Sequence, residues 1–258
     1  RPITVCAGCP HRGTYMAIID ALRKLKLKKS EVMVTGDIGC TILGMNPPFH
    51  SCWTEVSMGS SIGLAQGFHR AGLPGPHVAT IGDSTFFHAG IPALINGVVQ
   101  GARFVLVILD NGTTAMTGHQ PNPAVDMAQL KLEGYGRVSI ESVVRAIGVP
   151  HVTVIKPYKV KKSIDAIKEA VAFKGVSVII SQELCALYAS SLKLPRRKPF
   201  HVSEKCQNHR VCMSRLACPA FYVWNERIKI DANLCTGCAL CAQICPENAI
   251  LPVKEEKI

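Results

Sequence analysis

Acidic side chains, aromatic rings and unbroken apolar runs are what this sequence has least of. Its 258 residues carry 18 Asp and Glu against 29 Lys and Arg, a formal charge of +11, and aromatics make up 6%. An excess of that sign can mark a nucleic-acid-binding chain. Here the basic residues are scattered, with local clusters at 23–29, 156–162 and 193–198, and no aromatic-rich binding motif accompanies them. Nucleic acid is therefore not an expected partner. No apolar run reaches membrane-spanning length, because Arg103 breaks the longest, so a membrane is not expected either. No solenoid-type repeat is found, and no export signal is visible. The first residue is Arg1 rather than Met, which leads us to expect a piece of a longer chain.

What is abundant is cysteine and glycine. Disulfides would need an oxidising compartment, so twelve cysteines without an export signal point to metal ligation and a cytoplasmic location. The 48% hydrophobic content and 21 glycines suit an α/β protein with many tight strand-to-helix turns. The length allows one full α/β domain and a small second one.

Strands and helices alternate through the first two-thirds of the chain. Apolar runs at 32–35, 77–81, 104–109, 151–155 and 176–181 read as buried strands of a mostly parallel sheet. Helical spacing is expected over 14–25, from about 57 to 70, and over 89–100, 142–147 and 161–173, with a short helix at 127–132. Gly82-Asp83-Ser84 ends one strand and Asp110-Asn111-Gly112 the next, so both belong at the carboxyl edge of the sheet, where open α/β sheets bind ligands. A carboxylate, an amide oxygen and a main-chain carbonyl form the oxygen-only site that Mg²⁺ prefers, usually shared with ligand phosphates. Two ordinary strand ends would look the same, since Asp and Asn are common there. The alternation stops after Cys185. Residues 191–204 read as a linker between a first domain, 1–190, and a cysteine-dense one, 205–258, too short for a core without metal.

The last domain holds Cys235-x2-Cys238-x2-Cys241-x3-Cys245-Pro246, the run of bacterial ferredoxins, whose fourth cysteine serves the other cluster. Zinc sites instead pair two separated Cys-x2-Cys units. An earlier motif, Cys206-x2-His209-x2-Cys212-x5-Cys218-Pro219, has His209 where a cysteine is expected. Crossing the fourth ligands groups Cys218, Cys235, Cys238 and Cys241 around one 4Fe-4S cluster, and Cys206, Cys212 and Cys245 around another. His209 completes that second set, or stands idle beside a three-iron cluster, or marks a lost cluster. In the larger domain, Cys40 and Cys185 follow strands at the edge that carries Asp83, and Cys6-x2-Cys9 can fold over it. Taken singly each could be a buried apolar thiol; converging, the four would make a third cluster site, with Cys52 left to loop or core.

The Gly82-Asp83-Ser84 and Asp110-Asn111 pair resembles the thiamine-diphosphate signature, which implies Mg²⁺ held by the Asp83 and Asn111 side chains and the Thr113 carbonyl. Cys6-Ala7-Gly8-Cys9, Gly39-Cys40, Thr117-Gly118-x-Gln120 and Cys185, in that order, make nearly the whole chain resemble the 2-oxoacid:ferredoxin oxidoreductases. In that family the four cysteines hold the cluster nearest the cofactor. The resemblance places Ile38, Gly39, Cys40 and Thr41 against thiamine diphosphate, Gly82, Ser84, Thr85, Ala115 and Met116 around its diphosphate, and Met58 near its aminopyrimidine. Cys9–Gly13, Gly36–Cys40 and Gly82–His88, followed by a ferredoxin-like domain, look most like the α subunit of the family's indolepyruvate branch. The implied reaction is oxidative decarboxylation of aryl pyruvates to aryl-acetyl-CoA, with electrons leaving through two to three 4Fe-4S clusters. Ferredoxin, coenzyme A and the aryl pyruvate are the implied partners, with a second (β) subunit and the N-terminal pyrimidine-binding part of the same subunit. The last is missing here, so the fragment is expected to be inactive alone. Pyruvate or another 2-oxoacid as substrate, and an electron-transfer subunit without its own thiamine chemistry, are the alternatives. His11, His50, His88 and His119 are candidates near the site, and no catalytic acid or base is assigned.

Overall fold

Apolar runs bounded by glycine and Asx turns condense into one parallel sheet. The computed structural model describes residues 4–125, 134 and 136–253; the short helix expected at 127–132 lies outside them. Strands β1 (Met33–Thr35), β2 (His77–Gly82), β3 (Phe104–Asp110), β4 (His151–Ile155) and β5 (Val176–Gln182) lie in the order β1-β2-β3-β5-β4. Every pairing is parallel, with Gly82 opposite Leu109 and Asp110 opposite Gln182. The central strand β3 is buried throughout, which is why it reads as an uninterrupted apolar run.

Alternate side chains of the strands feed two separate cores. On one face Val78, Val107 and Ile179 pack with Tyr15 and Ile18 of α1 (Pro10–Lys24) and Ile164 and Ile167 of α6 (Val160–Ala172). On the other, Ile81, Leu106 and Ile180 meet Ile62 of α2 (Ser60–Arg70), Leu94 of α4 (Ile91–Val99) and Val144 of α5 (Ile140–Ala146). The result is a three-layer α/β/α sandwich.

Two helices begin earlier than their apolar periodicity suggests. Helix α1 starts at Pro10 rather than Thr14, since proline at the first helical position loses no hydrogen bond. Strand β2 runs straight into α3 (Asp83–Thr85), a π-helical turn (Phe86–Gly90) and then α4, so Asp83 is itself the first residue of a helical stretch. Within α4, Leu94 and Gly97 are buried, whereas Ile95 and Val99 are 44% and 79% exposed.

The cysteine-dense region forms a small α+β lobe. Strand β6 (Phe200–Val202) pairs antiparallel with β9 (Ile250–Pro252), β7 (Phe221–Trp224) with β8 (Arg227–Ile230), and α8 (Val211–Leu216) and α9 (Leu240–Ile244) pack between them. Strand β6 falls inside the stretch read as a linker, where dense Pro, Lys and Arg conceal a short Phe-His-Val alternation. Among the described residues the lobe's own buried cluster is small, Cys212, Ile228 and Ile250, with Ala220 and Ala249 also buried. Leu216 and Leu240 instead enter the core beneath α1 and α6, which keys the lobe to the larger layer.

Candidate cofactor site and cysteine clusters

The carboxyl ends of β1, β2, β3 and β5 converge on one edge, and a cavity opens there. Ile38, Gly39, Cys40 and Thr41 enter it after β1, and Met58 just before α2. Gly82, Asp83, Ser84 and Thr85 follow β2, while Asn111, Thr113, Ala115 and Met116 follow β3. The structure thus brings all the residues expected around a magnesium-bound diphosphate to a single wall.

Asp83 is 3% exposed. Its Oδ1 accepts the Ser84 amide at 2.8 Å, whereas its Oδ2 is buried without a hydrogen-bond partner. Burial above all, and then the neighbouring charge of Asp110, push its carboxyl up to about 7. A buried carboxylate oxygen left unpaired is costly, and a divalent cation would relieve it. Asn111, also buried, lies across the β2–β3 pair. Its Oδ1 accepts the Thr113 amide at 3.2 Å, and its Nδ2 meets His11 Nε2 at 3.2 Å. Burial lowers His11 to about 4, so the ring is neutral and accepts from the amide. The main-chain carbonyl of Asn111 receives the Cys185 amide at 2.9 Å, which ties the cavity to the first cysteine set. Donors and unsatisfied acceptor therefore fit Mg²⁺ and a diphosphate.

All twelve cysteines are free thiols, and eleven of them lie in three regions of the structure. Cys9 and Cys185 cap the N-termini of α1 and α7 (Ala186–Ser191), and Cys40 opens the turn after β1. The charges of Cys6 and Cys185 raise both Cys9 and Cys40, though burial is the larger cause, to about 12 and about 11. Cys218, Cys235, Cys238 and Cys241 line one cavity in the small lobe. Burial first, and then Cys218 and Cys235, push the Cys238 thiol up to about 11. Cys206, Cys212 and Cys245 line a second cavity together with His209. His209 is exposed, and its Nε2 lies 3.1 Å from Glu247 Oε1. Main-chain amides of Phe200, Asn208 and Ala249 donate to the sulfurs of Cys235, Cys206 and Cys245 at 3.3–3.4 Å, contacts of the kind that tune iron–sulfur potentials. Among the described residues no three His, Cys, Asp or Glu side chains are gathered as around one metal ion.

Cys52 is buried in the core, as expected of an unpartnered thiol. Of the histidine candidates, His88 Nδ1 lies 2.7 Å from the Ser84 carbonyl, and His119 Nε2 lies 3.8 Å from Cys185 Sγ while stacking on Tyr188. His50 is exposed and does not line the cavity. Three residues near these sites were given no role by the sequence reading, although Arg12 and Asp37 lie within the motifs at 9–13 and 36–40. Tyr15 donates its hydroxyl to the Cys40 carbonyl at 2.7 Å. The Asp37 carboxylate receives the Gly59, Ser61 and Ile38 amides and so pins the start of α2 beside the cavity. Arg12 is buried between the cysteine-bearing loops. Local spacing carries no signal for any of the three.

Residues 37–181 match the family model described as thiamine pyrophosphate enzyme, C-terminal TPP binding domain. The chain belongs to this family. Residues 228–251 match a 4Fe-4S binding domain. The indolepyruvate oxidoreductase subunits IorA of Archaeoglobus fulgidus and Methanothermobacter thermautotrophicus are 42% and 44% identical to it over 98% of this chain. The chain spans 40% of the length of those relatives. The solved 2-oxoglutarate:ferredoxin oxidoreductase from Magnetococcus marinus aligns with a TM-score of 0.65 at 21% identity, over 72% of this chain and 65% of that one. At that identity the likeness is one of fold. The TPP-binding domain thus carries a 4Fe-4S region on its C-terminal side. Among the described residues no helix is long and apolar enough to cross a membrane.

Proposed function

We propose that this chain is the diphosphate-binding and electron-relaying part of an oxidoreductase that converts aryl pyruvates, indolepyruvate among them, and coenzyme A to aryl-acetyl-CoA and CO₂. Electrons would pass to ferredoxin. The observation that carries the reading is the single sheet edge at which an unpaired buried Asp83 oxygen and the Cys40 and Cys185 thiols meet. Bound thiamine diphosphate supplies the carbanion and electron sink, while Mg²⁺ neutralises its diphosphate. This chain's residues hold and orient. Asp83 and Asn111 offer side-chain oxygens and Thr113 its carbonyl to the cation. Ser84, Thr85, Ala115 and Met116 border the diphosphate, Ile38–Thr41 and Met58 the rings. His11 holds the Asn111 amide nitrogen, which fixes Oδ1, already accepting the Thr113 amide, as the side-chain atom offered to the metal.

Cys6, Cys9, Cys40 and Cys185 hold the cluster beside the cofactor, Cys218, Cys235, Cys238 and Cys241 the next. Cys206, Cys212 and Cys245, with His209, hold the third. The division falls between 1–190 and the cysteine-dense lobe, which takes in strand β6 from the 191–204 stretch. A pyrimidine-binding part and a second subunit complete the enzyme. Similarity to the IorA subunits over 98% of the chain favours aryl substrates. The test is anaerobic reconstitution with those parts, with iron counting and turnover of indolepyruvate against pyruvate. Iron for fewer than two clusters, or a preference for pyruvate, would overturn the assignment.

A further inference from the structure

Arg12 is 1% exposed, yet among the described residues no carboxylate pairs with it. Its guanidinium donates to main-chain carbonyls instead: to Leu216 at the end of α8, to Val5, and to Cys6 at 3.0 Å. Its Cζ lies 5.7 Å from the Phe49 ring centroid, and its Nε has no partner. An unpaired buried cation costs several kcal/mol, so a counter-charge is to be sought nearby. Two anionic sites are at hand. Arg12 lines the cavity of Cys218, Cys235, Cys238 and Cys241, and its bond to Cys6 holds the loop of the other set. Its charge acts on the Cys9 and Cys238 sulfurs at once.

We propose that Arg12 is an electrostatic bridge between the Cys6/Cys9/Cys40/Cys185 cluster and the Cys218/Cys235/Cys238/Cys241 cluster, raising the reduction potential of both. The inference rests on the cluster assignment made above. Reducing either cluster adds one electron, drawn from substrate oxidation in the proposed reaction, and so adds one negative charge. A fixed guanidinium in a low-dielectric setting stabilises that charge on either side. Arg12 itself gains and loses neither proton nor electron. It favours an electron on each cluster, and a rise common to both leaves the step between them unchanged. It is a positioning residue.

The test is an anaerobic redox titration, followed by EPR, of the complete complex carrying wild type, Arg12→Gln or Arg12→Lys. In Arg12→Gln the reduced-to-oxidised ratio at fixed potential should fall about tenfold for both clusters, a shift of ~59 mV. The Cys206/Cys212/Cys245 site should not move. Arg12→Lys should restore the wild-type ratio. Unchanged potentials in Arg12→Gln, or a lysine variant shifted as far as glutamine, would overturn the bridge. If Arg12→Gln fails to retain iron, retention of both clusters by Arg12→Lys supports the need for charge, and loss in both variants reduces Arg12 to a structural clamp. A wild-type protein without iron would sink the cluster assignment itself, and the bridge with it.

Discussion

At Asp83 the structure buries a carboxylate whose Oδ2 makes no hydrogen bond of good geometry, although the Asn122 amide and the Gly112 N–H lie close enough to hold its pKa down. The consequences have a sign. The folded protein holds that proton up to about pH 7, while an unfolded chain releases it near the ordinary aspartate value of 3.8. Between those values the folded state binds more protons, so this group makes stability fall as pH rises through the window. Asp83→Asn should therefore stabilise the cofactor-free complex at pH 8, by up to about 4 kcal/mol, and abolish the thermal stabilisation that Mg²⁺ with thiamine diphosphate confers on the wild type. Melting curves with and without the ligands check both halves; a variant less stable in each state would contradict the cation role. Binding should also release up to one proton below pH 7 and almost none at pH 8, which calorimetry in buffers of different ionisation enthalpy reads directly. His11 has the opposite sign. Burial lowers it to about 4, so its contribution is complete above 6.5 and is lost as pH falls toward 4. Asp83 and Asn111 were legible in the sequence because strand ends advertise themselves. The His11–Asn111 contact, across the β3 terminus and the first turn of α1, was not.

Elements meet at Gly8. Its φ is +68°, and an added Cβ would fall inside the van der Waals sphere of the Thr236 hydroxyl, within the Cys235–Cys238 turn. On its other side the Tyr158 hydroxyl donates to the Gly8 carbonyl at 2.5 Å, and Gln243 of α9 reaches the Tyr158 carbonyl at 2.8 Å. The Cys6–Cys9 turn is thus clasped between two cysteine motifs by backbone proximity that only glycine permits. Gly8→Ala should cost about 1–3 kcal/mol and lower iron content by disturbing the first and second cysteine sets together. Iron per chain and EPR of each cluster would show it. Full occupancy of both clusters would mean that the clasp is dispensable.

For the whole molecule, the contrast between lobes sets the order of unfolding. The sheet carries two continuous cores, whereas the small lobe buries little beyond Cys212, Ile228 and Ile250. Its stability is therefore expected to come from iron ligation. Chelating the iron should expose the amides of β6 and β9 to hydrogen exchange while β2, β3 and β5 stay protected. Protection persisting in β6 and β9 after complete iron removal would show that the lobe stands on packing alone.

The sequence by itself determined the elements and the ligand types. Apolar runs of strand length, helical spacing over α6 and the Cys-x2-Cys-x2-Cys rhythm are local properties, set by periods of a few residues. Tertiary structure alone decided which of these meet. The strand order β1-β2-β3-β5-β4 brings Cys40, Asp83, Asn111 and Cys185 to one edge, though 145 positions separate the first from the last. A π-turn came to link β2 to α4, and an alternation too short to stand out became strand β6. Arg12 shows the difference most sharply. In sequence it is one basic residue among 29 Lys and Arg; folding removes its water and its carboxylate partners, and leaves two sets of thiols to answer its charge.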